Sequence, residues 1–319
     1  MTGTVLILGA TGRFGRAATN AFANAGWQVI AASRAGGGEV PRGVKTIACD
    51  PTDKAAVVAA AQGMDVIVHT VNPPYHHWAK LMPNLTRNII AAGLSSGATV
   101  MIPGNIYGYG EDASIILREE AARAPTTRKG ALRVTMERAF EDAAAEGLRT
   151  IILRSGDYME RQNTGSWFES YIAKKASKGV FTYPGRMDAV HAWAYLPDVG
   201  RAMEQLARIR ADLPAFTALG FEGYSLTGAE LKAAVALAVG QPLKTAKMPW
   251  RLMRVLGLIN PVVREVMEMR YLWNTPHRVD GTALRKLLPD YKDTPLSVAM
   301  QDAVPDLIPP RVDVQAYPA

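Results

Sequence analysis

The clearest chemistry in the chain sits at a glycine-rich turn. Gly9-Ala10-Thr11-Gly12-Arg13-Phe14-Gly15 follows the apolar run Val5-Leu6-Ile7-Leu8. A turn of this kind, between a buried strand and a helix, suits a pyrophosphate. Gly9 permits the tight turn, Gly12 lets the backbone approach the phosphates, and Gly15 lets helix and strand pack closely. The helix start adds unpaired N–H groups and a positive dipole end, and Thr11, Arg13 and Phe14 complete the contact stretch. The next strand ends Ala31-Ala32-Ser33-Arg34, with no Asp or Glu where NAD-binding units place an acid on the ribose. Ser33 and Arg34 instead suit a 2′-phosphate, with Arg13 adding charge. The expected cofactor is NADP, with NAD as the alternative.

Other reactive side chains are scattered. His76 and His77 are adjacent and would point to different helix faces, so a shared metal is not expected. His191 lies in an apolar run and reads first as a hydrogen-bonded core residue. Asp157 and Tyr158 lie past a strand end, where ligands of open α/β sheets bind. Trp167, Phe168, Tyr171, Trp193 and Tyr195, joined by Trp250, Tyr271 and Trp273, are read as core between domains or as an apolar pocket. Cys49 is the only cysteine, which excludes an internal disulfide and argues against a cysteine metal site.

The elements that must position these groups follow from periodicity. Short apolar runs at 5–8, 28–32, 44–48, 65–70, 99–102 and 149–153 read as strands buried on both faces. Helical patterns at 13–25, 53–62, 77–95 and 128–146 lie between them. Gly26, Gly63, Gly97 and Gly147 stand where helices stop. This alternation predicts a doubly wound parallel α/β sheet, a Rossmann unit over residues 1–155. Residues 156–319 should form a smaller, mostly helical substrate domain, with 190–210 returning to the first unit. There a helix is expected over 167–178, a strand over 191–196, a helix to about 209, and a strand at 216–219. Thr227-Gly228-Ala229-Glu230 is a capping box. Prolines 305, 309, 310 and 318 mark an irregular tail.

The sequence resembles the short-chain dehydrogenase/reductase superfamily, on its extended and atypical, epimerase/dehydratase-like side. The 9–15 turn matches the spacing of that fingerprint. Asp50 matches the acid that faces adenine. Thr70-Val71-Asn72 matches the stretch that passes the nicotinamide ribose. Ile106-Tyr107-Gly108, Arg154-Ser155-Gly156 and 191–198 resemble later family segments. The resemblance implies a Rossmann fold and a nicotinamide cofactor. It also implies a Ser or Thr and a Tyr-x-x-x-Lys, and these are missing. Pro103 stands at the Ser/Thr position, and Lys129 and Arg133 align with the Tyr and Lys. Lys129 and Arg133 are four apart and would share a helix face. Arg133 would hold the ribose and phosphate side. Lys129, with Tyr107 or Asn105, would handle the proton, provided burial depresses its pKa; alternatively Lys129 and Arg133 contact only phosphate or solvent.

The chain has 319 residues, 48% of them hydrophobic and 20% charged, which excludes a disordered chain. Basic residues exceed acidic ones, 36 to 29, but are dispersed, so the +7 charge fits an anionic ligand rather than nucleic acid. A cytoplasmic monomer or homodimer is expected, with a small-molecule substrate and no membrane partner. The leading reading is an NADP-dependent oxidoreductase acting on a carbonyl-like or unsaturated substrate. The alternatives are a nucleotide-sugar-type epimerase or dehydratase, and a non-catalytic NADP-sensing regulator.

Overall fold

The computed structural model describes residues 2–161 and 165–304; the proline-rich tail lies outside them. The first half alternates β1 (Thr4–Leu8), α1 (Arg13–Asn24), β2 (Gln28–Ser33), β3 (Lys45–Ala48), α2 (Lys54–Ala61), β4 (Val66–His69), α3 (Trp78–Ser96) and β5 (Thr99–Gly104). The two-residue β6 (Ile116–Leu117), then α4 (Arg128–Asp142), β7 (Thr150–Arg154) and β8 (Asp157–Met159) follow. The second half holds β9 (Val180–Tyr183), β10 (Val190–Tyr195), α5 (Leu196–Arg208), β11 (Phe216–Gly220), β12 (Tyr224–Thr227) and α6 (Gly228–Val239). It ends with β13 (Lys244–Lys247), α7 (Trp250–Leu256), α8 (Pro261–Glu268), β14 (Arg278–Val279), α9 (Thr282–Leu287) and α10 (Leu296–Ala303).

Seven strands form one sheet in the order β11-β7-β5-β4-β1-β2-β3, and every pairing is parallel. Strand residues alternate between two cores, as period-two geometry requires. Val5, Ile7, Val66 and Val68 face α1 and α5. Leu6, Leu8, Ile67 and Ile152 face α2, α3 and α4. The chain leaves β1 toward β2 on one side and reaches β4 on the other, so a crevice opens between their carboxyl ends.

The predicted strands all form. The run at 216–219 becomes β11, the outer strand beside β7. Helix α5 packs on the β1 face with α1. Strand β10 instead joins a separate small sheet with β8 and β12. The helix expected over 167–178 is broken into a wide π turn, Phe168–Ile172, and a 3-10 turn, Ala176–Lys178. A third core gathers Phe168, Ile172, Trp193, Leu231 and Trp273 beneath the second half. Among the described residues no helix is long and apolar enough to cross a membrane.

One buried ion network fastens α4 to the end of β7. The Glu137 carboxylate accepts from Arg154 Nη2 at 2.7 Å, Arg154 Nε at 3.2 Å and Arg123 Nη1 at 2.8 Å. Glu137 and Arg154 are both buried. Removing one partner leaves the other charge uncompensated in a low-dielectric site. Glu137→Gln should therefore lower unfolding free energy by about 3 kcal/mol, read by urea denaturation. A loss below about 1 kcal/mol, the level of an exposed pair, would show that the network is dispensable.

Candidate active site

The glycine turn is built as its spacing requires. Gly9 has φ 82°, and a Cβ there would lie 3.1 Å from the Val71 nitrogen. A Cβ on Gly15 would collide with the Gly9 carbonyl and sit 2.7 Å from Ala10 Cα. Helix α1 starts at Gly12 with no side-chain cap. Its first-turn N–H groups are thus left for a ligand. The Thr70 hydroxyl donates to the Leu8 carbonyl at 2.7 Å, tying β4 to β1 across the crevice.

A cleft of about 720 Å³ opens here, lined by Gly9, Thr11, Gly12, Arg13 and Phe14 from the turn and by Thr70, Val71 and Asn72 from the end of β4. That volume lies within the range of small-molecule and cofactor sites. Ser33 and Arg34, from the end of β2, also line it. The Ser33 hydroxyl donates to the Gly37 carbonyl at 2.8 Å, and Arg34 is exposed. A Cβ on Gly38 would meet the Thr11 methyl at 2.6 Å, so this loop lies against the turn. Asp50 is not among the lining residues, although Cys49 and Pro51 are. Its carboxylate accepts from the Thr52 N–H and hydroxyl. Arg13 pairs with Glu160 at 3.1 Å and influences Tyr75 and Tyr158, so its charge faces the phenols described next.

Another part of the cleft is a cluster of phenols around one carboxylate. Tyr107 and Tyr75 share a hydrogen bond between their hydroxyls at 2.9 Å. The Ser155 hydroxyl donates to the Tyr158 hydroxyl oxygen at 2.7 Å. The Asn105 side-chain oxygen accepts from the Tyr107 N–H. Burial raises Tyr75 and Tyr158 and pushes Tyr107 well above its ordinary value, with the Asp157 carboxylate adding to each. Asp157 Oδ2 lies 2.8 Å from His191 Nε2. The buried His191 ring stacks flat on Trp273, centroids 4.3 Å apart. Trp167 and Tyr171 also line the cleft, their rings 5.1 Å apart. Phe168, Trp193 and Trp273 are buried core. The aromatic stretch thus divides between pocket and core.

Two residues of α4 part company. Arg133 lines the cleft, and its Nη2 donates to the Pro103 carbonyl at 2.7 Å. Lys129 is 1% exposed and does not line the cleft. Its ammonium is held between Glu265 and Glu268 of α8, the latter at 2.6 Å. The structure therefore brings Tyr107, Asn105 and Arg133 together and leaves Lys129 outside. Sequence reading missed Tyr75 and both glutamates. The three-residue spacing of Glu265 and Glu268 marks a cation-binding helix face, but nothing local names a partner so far back in the chain. His76 and His77 occupy a short turn before α3, and no cluster able to hold a metal occurs among the described residues.

The model of the NAD dependent epimerase/dehydratase family matches residues 5–215. The chain belongs to that family. Solved structures of similar fold include a UDP-galactose 4-epimerase, 16% identical, covering 95% of this chain and 98% of its own, with a TM-score of 0.73. A UDP-N-acetylglucosamine 4-epimerase from Bacillus cereus is 15% identical, with coverages of 94% and 97% and a TM-score of 0.73. A UDP-glucose 4-epimerase from Brucella ovis, in complex with NAD, is 15% identical, with coverages of 95% and 98% and a TM-score of 0.74. No curated protein matches the chain.

The cleft fits the cofactor named by the family. Gly9 and Gly15 have no room for a Cβ against the neighbouring backbone, and this close packing sets the start of α1 at the cleft. His69, which lines the cleft, keeps a buried Nδ1 with no hydrogen-bond partner among the described residues. Burial, helped by Arg133, lowers His69 from 6.5 to about 4. The unfolded chain takes up this proton near 6.5 and the folded chain only near 4. Stability is therefore full above about pH 6.5 and falls as pH drops toward 4. In the free protein, His69→Gln should flatten that fall by a few kcal/mol, at ~1.4 per pKa unit. Parallel wild-type and variant denaturation curves at pH 7 and pH 4.5 would refute it.

Proposed function

We propose that this protein is a nicotinamide-dinucleotide-dependent hydride-transfer enzyme of the epimerase/dehydratase type, acting on a hydroxyl-bearing, sugar-like substrate. The observation that carries this reading is Asp157, which lines the same cleft as the glycine turn and is paired from behind with the buried His191. Gly9 and Gly12 would seat the pyrophosphate at the start of α1, and Arg133 the nicotinamide ribose side. When bound, the nicotinamide accepts hydride from a substrate carbon and can return it.

The chain's own groups manage the proton. Asp157, oriented by His191, takes the proton of the substrate hydroxyl as the carbon is oxidised, and gives it back on reduction. Tyr107 is a poor base because burial keeps it protonated. It is a good hydrogen-bond donor to the substrate oxygen, relayed from Tyr75, with Asn105 fixing the Tyr107 backbone. Trp167 and Tyr171 offer an aromatic wall for a sugar face, and Ser166 and Ser170 offer hydroxyls. Lys129, neutralised by two carboxylates, takes no part in the proton transfer.

The full-length likeness to nucleotide-sugar epimerases supports return of the hydride to the same substrate. Net reduction of a carbonyl is the second version, favoured by a phenol held protonated. The two differ in cofactor fate. Incubation with UDP-sugars, followed by nuclear magnetic resonance of products, should show interconversion without net change in reduced nicotinamide. Asp157→Asn should lower turnover by roughly 10²–10⁴-fold while dinucleotide affinity stays within about twofold, a gap under ~0.5 kcal/mol. Stoichiometric nicotinamide oxidation would move the protein to the reductase version. Full turnover in Asp157→Asn would remove Asp157 from the mechanism.

Cofactor choice rests on the adenosine end. Ser33 and Arg34, with no acid at the end of β2, support NADP over NAD. Calorimetry should find NADPH bound about tenfold tighter than NADH, a gap of ~1.4 kcal/mol, and Arg34→Ala should close the gap. Equal affinities in the wild type would overturn this preference.

A further inference from the structure

The helical hairpin of α7 and α8 has a surface that the reaction does not use. Six of the ten exposed large apolar side chains among the described residues fall within 252–262. Leu258 and Ile259, in the turn between the helices, are 80% and 83% exposed. Such a concentration is unlike the single apolar residues scattered over most surfaces. The hairpin is not loose. Asn260 caps α8 through the N–H groups of Val262 and Val263. Met253 of α7 is buried. Glu265 and Glu268 bind the base of α8 to Lys129. The apolar turn is thus held outward on a rigid support.

The charge around this turn has one sign. Between Glu230 and Glu265 the chain carries Lys232, Lys244, Lys247, Arg251, Arg254 and Arg264, and no acidic residue. Arg251, Arg254 and Arg264 are exposed, and none has an ion-pair partner among the described residues. Aliphatic side chains at a projecting turn, flanked by unpaired arginines on both helices, match the interfacial membrane helix pattern. A second copy docked by the same face would set arginine against arginine, which opposes self-association.

We propose that the α7–α8 hairpin docks this protein on an anionic lipid surface, with Leu258 and Ile259 entering the headgroup region and Arg251, Arg254 and Arg264 on lipid phosphates. Val262 and Val266 of the same hairpin line the cleft, so docking sets one lip of the cleft at the membrane. This departs from the expectation of no membrane partner, which took the basic residues as dispersed along the sequence.

Flotation of the full chain tests it, using vesicles of phosphatidylcholine alone or mixed with phosphatidylglycerol. The expected result is binding to the mixed vesicles, weakened by salt. Leu258→Asp with Ile259→Asp should reduce it more than tenfold. Each of Arg251→Ala and Arg254→Ala should weaken it roughly fivefold. A cooperative melt and unchanged dinucleotide affinity in the variants show that the fold persists. Absence of binding to mixed vesicles overturns the proposal, as does binding indifferent to the double aspartate variant. Retention on immobilised polyglutamate without vesicle binding assigns the face to an acidic protein instead. Self-association lost in the double variant assigns it to a second copy.

Discussion

Lys129 cannot be buried without its two carboxylates, and much of the site's arrangement follows from that requirement. An isolated ammonium in the protein interior costs several kcal/mol. Glu265 and Glu268 meet it from α8, and Glu268 also accepts from the Lys129 backbone N–H at 3.0 Å. The first turn of α4 is thereby fixed to the hairpin of the second half. That fixes one wall of the cleft, where Val262 and Val266 stand. It also holds the ammonium outside the cleft lining. Four residues on, Arg133 stays in the cleft because its guanidinium reaches the Pro103 carbonyl.

With the lysine withdrawn, the cleft's phenols are left beside a carboxylate. Tyr75, Tyr107 and Tyr158 are buried, and each feels the negative charge of Asp157. Both effects oppose phenolate formation, so none of the three is a base near neutral pH. In a typical member of the superfamily a nearby lysine lowers the tyrosine's pKa. Here the Lys129 ammonium lies over the Tyr75 ring, 5.3 Å from its centre, and is paired with Glu265 and Glu268. Asp157 is the carboxylate among these phenols, and it is held by an imidazole that is itself locked against Trp273. The same burial that disables the phenols as bases makes them effective donors, since a hydrogen bond gains strength in low dielectric.

Most of the sheet was legible in the sequence. Strands buried on both faces must be apolar almost throughout, and Val5 to Leu8 or Val66 to Val68 admit few other readings. The glycine turn was legible for a related reason, since Gly15 is required by contact with the Gly9 carbonyl. The aromatic helix over 167–178 was not legible in detail. Its buried positions at 168, 172 and 176 keep helical spacing, yet Ala173 N–H bonds back five residues to the Phe168 carbonyl. Apolar periodicity does not distinguish that wider turn from an α-helix. The site was half legible. Residues on one strand end or one turn were found from local order. The roles of Lys129, Tyr75 and Asp157 are set by contacts with Glu268, Tyr107 and His191, which are 139, 32 and 34 positions away.

Long-range pairing also decides where charge shows. The dispersal of lysine and arginine along the sequence suggests a solvated, featureless basic balance. Folding changes this by burying acids selectively. Glu137 is taken up by Arg123 and Arg154, and Glu265 and Glu268 by Lys129 and Arg128. Glu265 is the first acidic residue after Glu230, so its burial leaves the whole of α7 and the start of α8 uncompensated. The ion cluster that shapes the cleft wall is therefore also what leaves a basic collar around Leu258 and Ile259. Burying Lys129 against Glu265 and Glu268 thus ties the cleft wall and the base of the hairpin to one ion cluster.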